Sequence, residues 1–430
     1  MAFKATQKLD VTRRLSNGEQ VMVGTLAQNR QGVFFQYHAD YLSRFSNLSP
    51  FSMNADTRVQ AAPKSPHNGL HGVFSDAMPD GWGLLLQDRI FKQNNILPNM
   101  VTAMDRLAFV GNSAIGALSF SPVSEYAVGN NKNTDLFTLG LNAQQIFDGQ
   151  TEHVLKALVA AGSSGGARPK AQIYVGGDNF SACSTLERPN DDAWIVKFTS
   201  QNLALGHEEG ICEAVYLTLA QKANLNPPQW ALLDAPATSG AKKWLALKRF
   251  DFVPSSTGES GRYHMHSACG LLDADFRAPS LDYDNLIRAT RVLCKSPAAG
   301  QLQFKRAIFN LFACNQDDHS KNWGFLQDDA GHWQPSPFFD ITFSPHPFGE
   351  HATAYAGFGK KPTLGAIKQL AQSAGFARWE LAREAIHEVV EAVIQFSNEA
   401  KTLGVSPSTI KLISKHLEEN RQSLTHILLL

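Results

Sequence analysis

Asp317 and Asn322 stand five residues apart in the polar run Asn315-Gln316-Asp317-Asp318-His319-Ser320-Lys321-Asn322. Asp340 follows in the apolar setting Pro337-Phe338-Phe339-Asp340-Ile341. An Asp and an Asn at this spacing can orient an attacking hydroxyl, take up its proton and hold a metal on a phosphate chain. Asp340 would supply a second oxygen to Mg²⁺, a hard cation that keeps several waters and so needs few protein ligands. The spacing therefore predicts phosphoryl transfer, with Asp317 as base and Asn322 and Asp340 on the metal. His319 would either support the loop backbone or meet the transferring phosphate. The competing reading is a surface turn that happens to be rich in Asp and Asn.

Three upstream stretches would have to present a nucleotide to these groups. The first is the glycine-serine loop ending in Ser163-Ser164-Gly165-Gly166-Ala167-Arg168-Pro169-Lys170. From Ser164 to Ala167 small residues let backbone N–H groups approach phosphate oxygens, and Lys170 adds a flexible point charge. The loop has neither the dinucleotide nor the Walker spacing, so a plain solvent loop is the alternative. Ser163 or Ser164 could instead accept a phosphate, whose charge would compete with the nucleotide. The second stretch is the strand around Asp192–Phe198, whose Lys197 interrupts an apolar pattern. A buried ammonium needs a partner. Glu213 on the next helix and nucleotide phosphates would serve, whereas a snorkelling edge lysine would need neither. Glu208 and Glu209 are expected to face the amino-terminal dipole of that helix. The third stretch, Lys248-Arg249-Phe250-Asp251, ends a strand. Its backbone could bond adenine and Asp251 could meet ribose, or it could be an ordinary strand end.

The elements follow in a consistent order. Val21–Leu26 and Gly32–Tyr37 read as a hairpin, Asp80 or Gly81 as the cap of a helix from Leu84 to about Phe91, and Asp105–Ala108 as another short helix. Strands at 171–175, 192–198 and 243–251 flank a helix at 212–223. From Tyr283 onward helices dominate, with Leu381, Ala385, Val389, Val393 and Phe396 expected on one buried face. The fold class predicted is α+β and bilobal: residues 1–150 a β-rich amino-terminal subdomain, 151–255 the rest of the amino-terminal lobe, and 256–430 a helical lobe carrying the catalytic loop.

Bulk properties agree with a globular protein of several domains: 430 residues, 43% hydrophobic and 18% charged. Zero net charge argues against a wholesale grip on nucleic acid. Five scattered cysteines with no CxxC pair form neither a zinc site nor a disulfide framework and suit a reducing compartment. With no long apolar run or signal-type segment, a soluble cytoplasmic protein away from membranes is expected.

Taken together, these motifs resemble the HipA-type serine/threonine kinases, the toxin partners of bacterial toxin–antitoxin pairs. Met78-Pro79-Asp80-Gly81-Trp82 is similar to that family's LP(E/D)GW element, and Asp105-Arg106-Leu107-Ala108 through Gly116-Ala117-Leu118 to its D-x-L-A…GAL element. Ser163 to Lys170 is similar to its phosphate loop, Val196-Lys197-Phe198 to its ATP-lysine strand, and Glu213 through Ala220 to the helix that follows. Arg249-Phe250-Asp251 resembles its hinge, Asn315–Asn322 its catalytic loop, and Pro337–Ile341 its metal element. The resemblance implies ATP and Mg²⁺ as cofactors, Asp317 as base, and silencing autophosphorylation at Ser163, with Ser164 as the second choice. It further implies a protein acceptor such as an aminoacyl-tRNA synthetase, and a helix-turn-helix antitoxin through which any DNA contact would run. Arg168-Pro169 departs from the family's usual polar pair and stiffens the loop. A small-molecule phosphotransferase, or a non-catalytic partner of a DNA-binding antitoxin, would share the same core.

Overall fold

The computed structural model describes residues 3–127, 135–161, 165–177, 180–255, 259–278 and 280–428. Ser163, Ser164 and the Gly129–Asn133 run lie outside the described residues.

Alternation builds the first sheet. In β1 (Lys8–Arg14), Leu9 and Val11 point inward and are fully buried. The strands β2 (Gln20–Asn29), β3 (Gly32–Tyr37), β4 (Gln60–Ala61) and β5 (Leu118–Ser121) complete an antiparallel sheet in the order β4-β3-β2-β1-β5. The expected hairpin closes with Asn29 opposite Gly32. Four helices accompany the sheet: α1 (Ala39–Arg44), α2 (Gly72–Ser75), α3 (Gly81–Gln93) and α4 (Ala103–Val110). Asp105 opens α4 through a reciprocal capping box with Thr102. Buried Arg13 fastens this unit to the last part of the chain, donating to Gln327 Oε1 at 3.3 Å and to the Asp328 carbonyl at 3.1 Å.

The second sheet is antiparallel, in the order β6-β7-β9-β8, from β6 (Lys170–Val175), β7 (Asp192–Lys197), β8 (Trp230–Asp234) and β9 (Lys243–Lys248). The sequence pattern had not marked β8. Period-two alternation sends Trp244 and Ala246 to one face of β9 and Leu245 and Leu247 to the other. On the first face lie α5 (Leu136–Phe147) and α6 (Lys156–Ala160). Gly140 lets α5 approach closely, since a Cβ there would stand 2.2 Å from the Trp244 ring. The core on this face of the sheet is shared by α5 and by Trp82 and Leu86 of α3. On the other face lies α7 (Glu209–Lys222), whose Ile211, Val215 and Leu219 join the helical core.

That core is made by α8 (Ala268–Leu271), α9 (Tyr283–Cys294), α10 (Pro297–Phe312), α11 (Leu364–Ala374), α12 (Trp379–Ile394), α13 (Phe396–Thr402) and α14 (Pro407–Ser423). Ala385, Val389, Val393 and Phe396 are buried as expected, but Leu381 is 38% exposed. It stands in the first turn of α12 beside fully buried Ala382, at the edge of the packed stripe where its side chain meets solvent. Among the described residues no helix is long and apolar enough to cross a membrane.

Candidate active site

Helix α10 is buried along most of its length and delivers the chain to the loop Asn315–Asn322. Asp318 fixes this loop from beneath. Its carboxylate accepts from Tyr283 Oη at 2.5 Å and from the Thr353 amide at 3.2 Å, with His351 Nδ1 2.9 Å away. Its carbonyl accepts from Thr353 Oγ1 at 2.5 Å and Trp323 Nε1 at 3.1 Å. Asn315 adds a bond from its amide to Asn310 Oδ1 at 2.8 Å. With every neighbour pinned in the core, Asp317 is left outward, its side chain 66% exposed.

The Asn322 amide donates to the Asp317 carbonyl at 2.8 Å, which leaves the amide oxygen as its acceptor end. His319 Nε2 lies 3.8 Å from Asp317 Oδ1, and the ring edge meets Phe276 with centroids 5.8 Å apart. Partial desolvation in the cleft raises the Asp317 carboxyl above the usual range; Asp340 adds to this, while His319 and Arg168 oppose it.

Across the cleft, β7 places Lys197 where β6 and β9 flank it. Its Nζ donates to Glu213 Oε1 at 2.6 Å and to Asp340 Oδ1 at 2.7 Å. The expected Lys–Glu pair is thus present, and the metal-element aspartate is its third member. Burial opposes ionisation of Asp340, but Lys197, Lys170 and Arg168 outweigh it and hold the carboxyl far below the usual range. Asp340 also adopts φ +56°, a region that non-glycine residues seldom occupy. Its carboxylate is therefore a charged oxygen donor held in a fixed, uncommon backbone geometry.

Lys170 is buried at the start of β6 and donates to the Gly165 carbonyl at 2.5 Å. Burial pulls its pKa down to about 8, against the nearby charges of Asp340 and Asp80. Arg168 reaches Glu209 at 3.3 Å and Glu213 at 3.8 Å, so the residue that departs from the family pattern ties the loop to α7. Glu209 is buried and committed to Arg168. Glu208 instead accepts from the Ser406 amide and hydroxyl, each at 2.7 Å, anchoring α14. Both stand at the amino-terminal end of α7, as expected, and make these specific pairs in addition.

Gly165, Gly166, Lys170, Lys197, Lys248 and Phe250 line one cleft with His319, Asn322 and Asp340; it encloses about 1270 Å³ of empty space including its mouth. Phe250 packs on Phe339 with ring centroids 5.6 Å apart, an apolar wall of the kind a flat base could stack on. Lys248 pairs with Asp192 at 2.7 Å.

Asp251 corrects one expectation. Its carboxylate accepts from Arg249 Nε at 3.0 Å and Nη2 at 2.5 Å, and from the Gly116 amide at 2.7 Å. Burial works against this charge, yet Arg249 dominates and lowers the carboxyl pKa. Three of its acceptor positions hold the end of β9 to the first unit, so it is not a free strand-end acid, although it still lines the cleft.

Asp80 corrects another. It occupies the N-cap position of α3 but makes no side-chain capping bond. Its oxygens accept from the Gly166 amide and from Lys321 Nζ, the latter at 2.7 Å. Asp80, Lys321 and Asp318 were the site-building residues that sequence reasoning passed over. Only their positions inside already recognised motifs could have drawn attention to them.

Among the described residues there is no cluster of three or more His, Cys, Asp or Glu that could hold a metal ion. A carboxylate from Asp340 and an amide oxygen from Asn322 are nonetheless the hard donors that suit Mg²⁺ when phosphates and waters complete its shell.

Comparison with known proteins agrees with this geometry. Residues 162–396 match the HipA-like C-terminal domain and residues 18–121 the HipA N-terminal domain. No curated protein matches the chain. Among solved structures, HipA of the Shewanella oneidensis MR-1 toxin–antitoxin system, in complex with HipB and its operator DNA, aligns with a TM-score of 0.69 at 17% identity. The alignment covers 97% of this chain and 96% of that one. The Helicobacter pylori proinflammatory kinase CtkA aligns with a TM-score of 0.35 at 16% identity, covering 59% of this chain and 92% of that one. The HipA-like α+β fold expected from the sequence is the fold of this chain. The chain belongs to the HipA family.

Proposed function

We propose that this protein is an ATP- and Mg²⁺-dependent protein serine/threonine kinase, the toxin component of a toxin–antitoxin pair. One observation carries the reading: Lys197 bridges Glu213 and Asp340, at 2.6 and 2.7 Å, in the cleft that Asn322 and His319 line, with Asp317 beside His319 at 3.8 Å. Phosphoryl transfer asks a protein mainly for position and charge, and these residues supply both. Lys197 and Lys170 supply the positive charge that would neutralise phosphate oxygens. Asn322 and Asp340 would hold Mg²⁺, which when bound would supply positive charge against the phosphates. Asp317 orients the acceptor hydroxyl and takes its proton, its raised carboxyl pKa making it a better base than an ordinary surface Asp. His319 steadies Asp317 from 3.8 Å.

The acceptor is a serine or threonine hydroxyl of another protein, an aminoacyl-tRNA synthetase being the kind implied by the family resemblance. Ser163, with Ser164 second, is the self-acceptor. A DNA-binding antitoxin is the expected partner, supported by the HipB complex of the Shewanella relative. The neutral net charge of this chain fits DNA contact made through that partner.

The test is incubation with Mg²⁺-ATP followed by intact mass and phosphopeptide mapping. Phosphate on Ser163 or Ser164 is expected in the native protein and none in Asp317→Asn or Asp340→Asn, both still folded. Full incorporation in either variant sinks the reading. Phosphate passed to a sugar or aminoglycoside and to no protein would make it a small-molecule phosphotransferase.

A further inference from the structure

The segment Asp80-Gly81-Trp82 belongs to the first unit, yet it grips the phosphate loop at four points. The Gly166 amide donates to Asp80 Oδ1, and the Gly166 carbonyl accepts from the Trp82 amide at 3.0 Å. Trp82 Nε1 donates to the Lys170 carbonyl at 2.9 Å. Gly81 takes φ +36°, and a Cβ on it would lie 2.6 Å from Ala167 Cα, so the two backbones touch. The other Asp80 oxygen accepts from Lys321, which immediately precedes Asn322 in the catalytic loop. Lys321 has no second carboxylate partner among the described residues; its ammonium otherwise lies over the Phe276 ring, 4.3 Å from the centroid.

We infer that Asp80 is a positioning residue: one carboxylate clasps the phosphate loop to the catalytic loop and so sets the distance between nucleotide phosphates and Asn322. The inference rests on the kinase reading above. It assigns the first unit a task, since that unit contributes no catalytic group of its own. Three features separate a clasp from an incidental surface pair. Asp80 is 7% exposed, so its contacts are not diluted by water. Burial alone would raise its carboxyl, but Lys321 and the Gly166 amide lower it below the usual range, so the charge persists at neutral pH. The local alternative, capping α3, is not used.

A carboxylate shared by two loops couples them: loosening either end frees the other. Asp80→Asn keeps the shape and one acceptor oxygen but removes the charge that holds Lys321, and Lys321→Gln cuts the same contact from the opposite side. Each is expected to lower kcat for Mg²⁺-ATP turnover, read as phosphate incorporated or ADP released, by about 10- to 100-fold. KM for ATP should move much less, and Asp80→Glu should recover part of the loss. The double variant should be no worse than either single one. Hydrogen exchange should quicken at residues 165–170 and at 315–322 together in both single variants. Full turnover in Asp80→Asn, losses that add, or quickened exchange confined to one loop would each overturn the clasp. A native protein that neither takes up phosphate nor releases ADP would refute the kinase reading instead, and the exchange measurement would still judge the clasp.

Discussion

The catalytic loop and the phosphate loop face each other across one cleft, but they are held in opposite ways. Asn315–Asn322 is secured from below by its own lobe: Asp318 receives Tyr283, Thr353 and His351, and Asn315 is tied to Asn310, all within the helical core. Gly165–Lys170 is tied to its own sheet only at Pro169 and Lys170, and takes its other anchors from elsewhere, Asp80 and Trp82 from the first unit and Glu209 and Glu213 from α7. The contrast has a physical basis. On the function proposed above, a loop that keeps a base and a metal donor in place would gain from buried, fully satisfied hydrogen bonds. A loop that admits and releases a phosphate chain would gain from contacts that other elements supply and can withdraw.

Perturbing each anchor separates the two modes. The largest effect is expected from Asp318→Ala, which strands buried Tyr283 and His351 and should cost about 3 kcal/mol of stability, read by chemical denaturation. A loss well under 1 kcal/mol would show that the catalytic loop is not held from beneath. Trp82→Phe removes one bond to Lys170 and leaves a cavity where the buried indole stood, so about 1–3 kcal/mol is expected, with faster amide exchange confined to residues 165–170. Exchange quickening throughout α10 would mean that the two loops share one anchoring system.

The subtlest test is pH. Lys170, with its pKa pulled to about 8 by burial, loses its charge near that pH in the folded protein. ATP affinity should weaken as pH rises through about 8, and this dependence should vanish in Lys170→Met; a flat native profile would remove Lys170 from the phosphate contacts. Stability should move the other way. Between pH 8 and the ordinary lysine range the unfolded chain binds more protons than the fold, so this group's penalty relaxes as pH rises.

Much of this was written locally. The Asp317-x-x-x-x-Asn322 spacing, Lys197 in an apolar strand, the glycine run at 165–166 and the alternation of β1 and β9 are one-dimensional signals, because backbone geometry alone fixes which residues share a face or a turn. Their convergence in one cleft follows from the order of elements. Less was legible wherever a side chain served a distant segment. Asp80 reads as a helix cap and Asp251 as a free strand-end acid because local rules describe only the nearest amide donors. Leu381 reads as core because periodicity cannot tell where a packed stripe ends. The strand β8 was missed because its residues are only partly buried and carry no sharp alternation.

By itself, then, the sequence determined the fold class, the family and the residues able to do phosphoryl chemistry, since residue type and short-range spacing are covalent facts. Tertiary structure alone decided which carboxylates remain free for that chemistry. Asp340 is kept ionised by three cations from other segments and Asp317 is left outward beside His319. Asp251, Asp318 and Asp80 are spent on Arg249, Tyr283 and Lys321. A carboxylate's role depends on its burial and on the charges that meet it through space, and neither is set until the chain has folded.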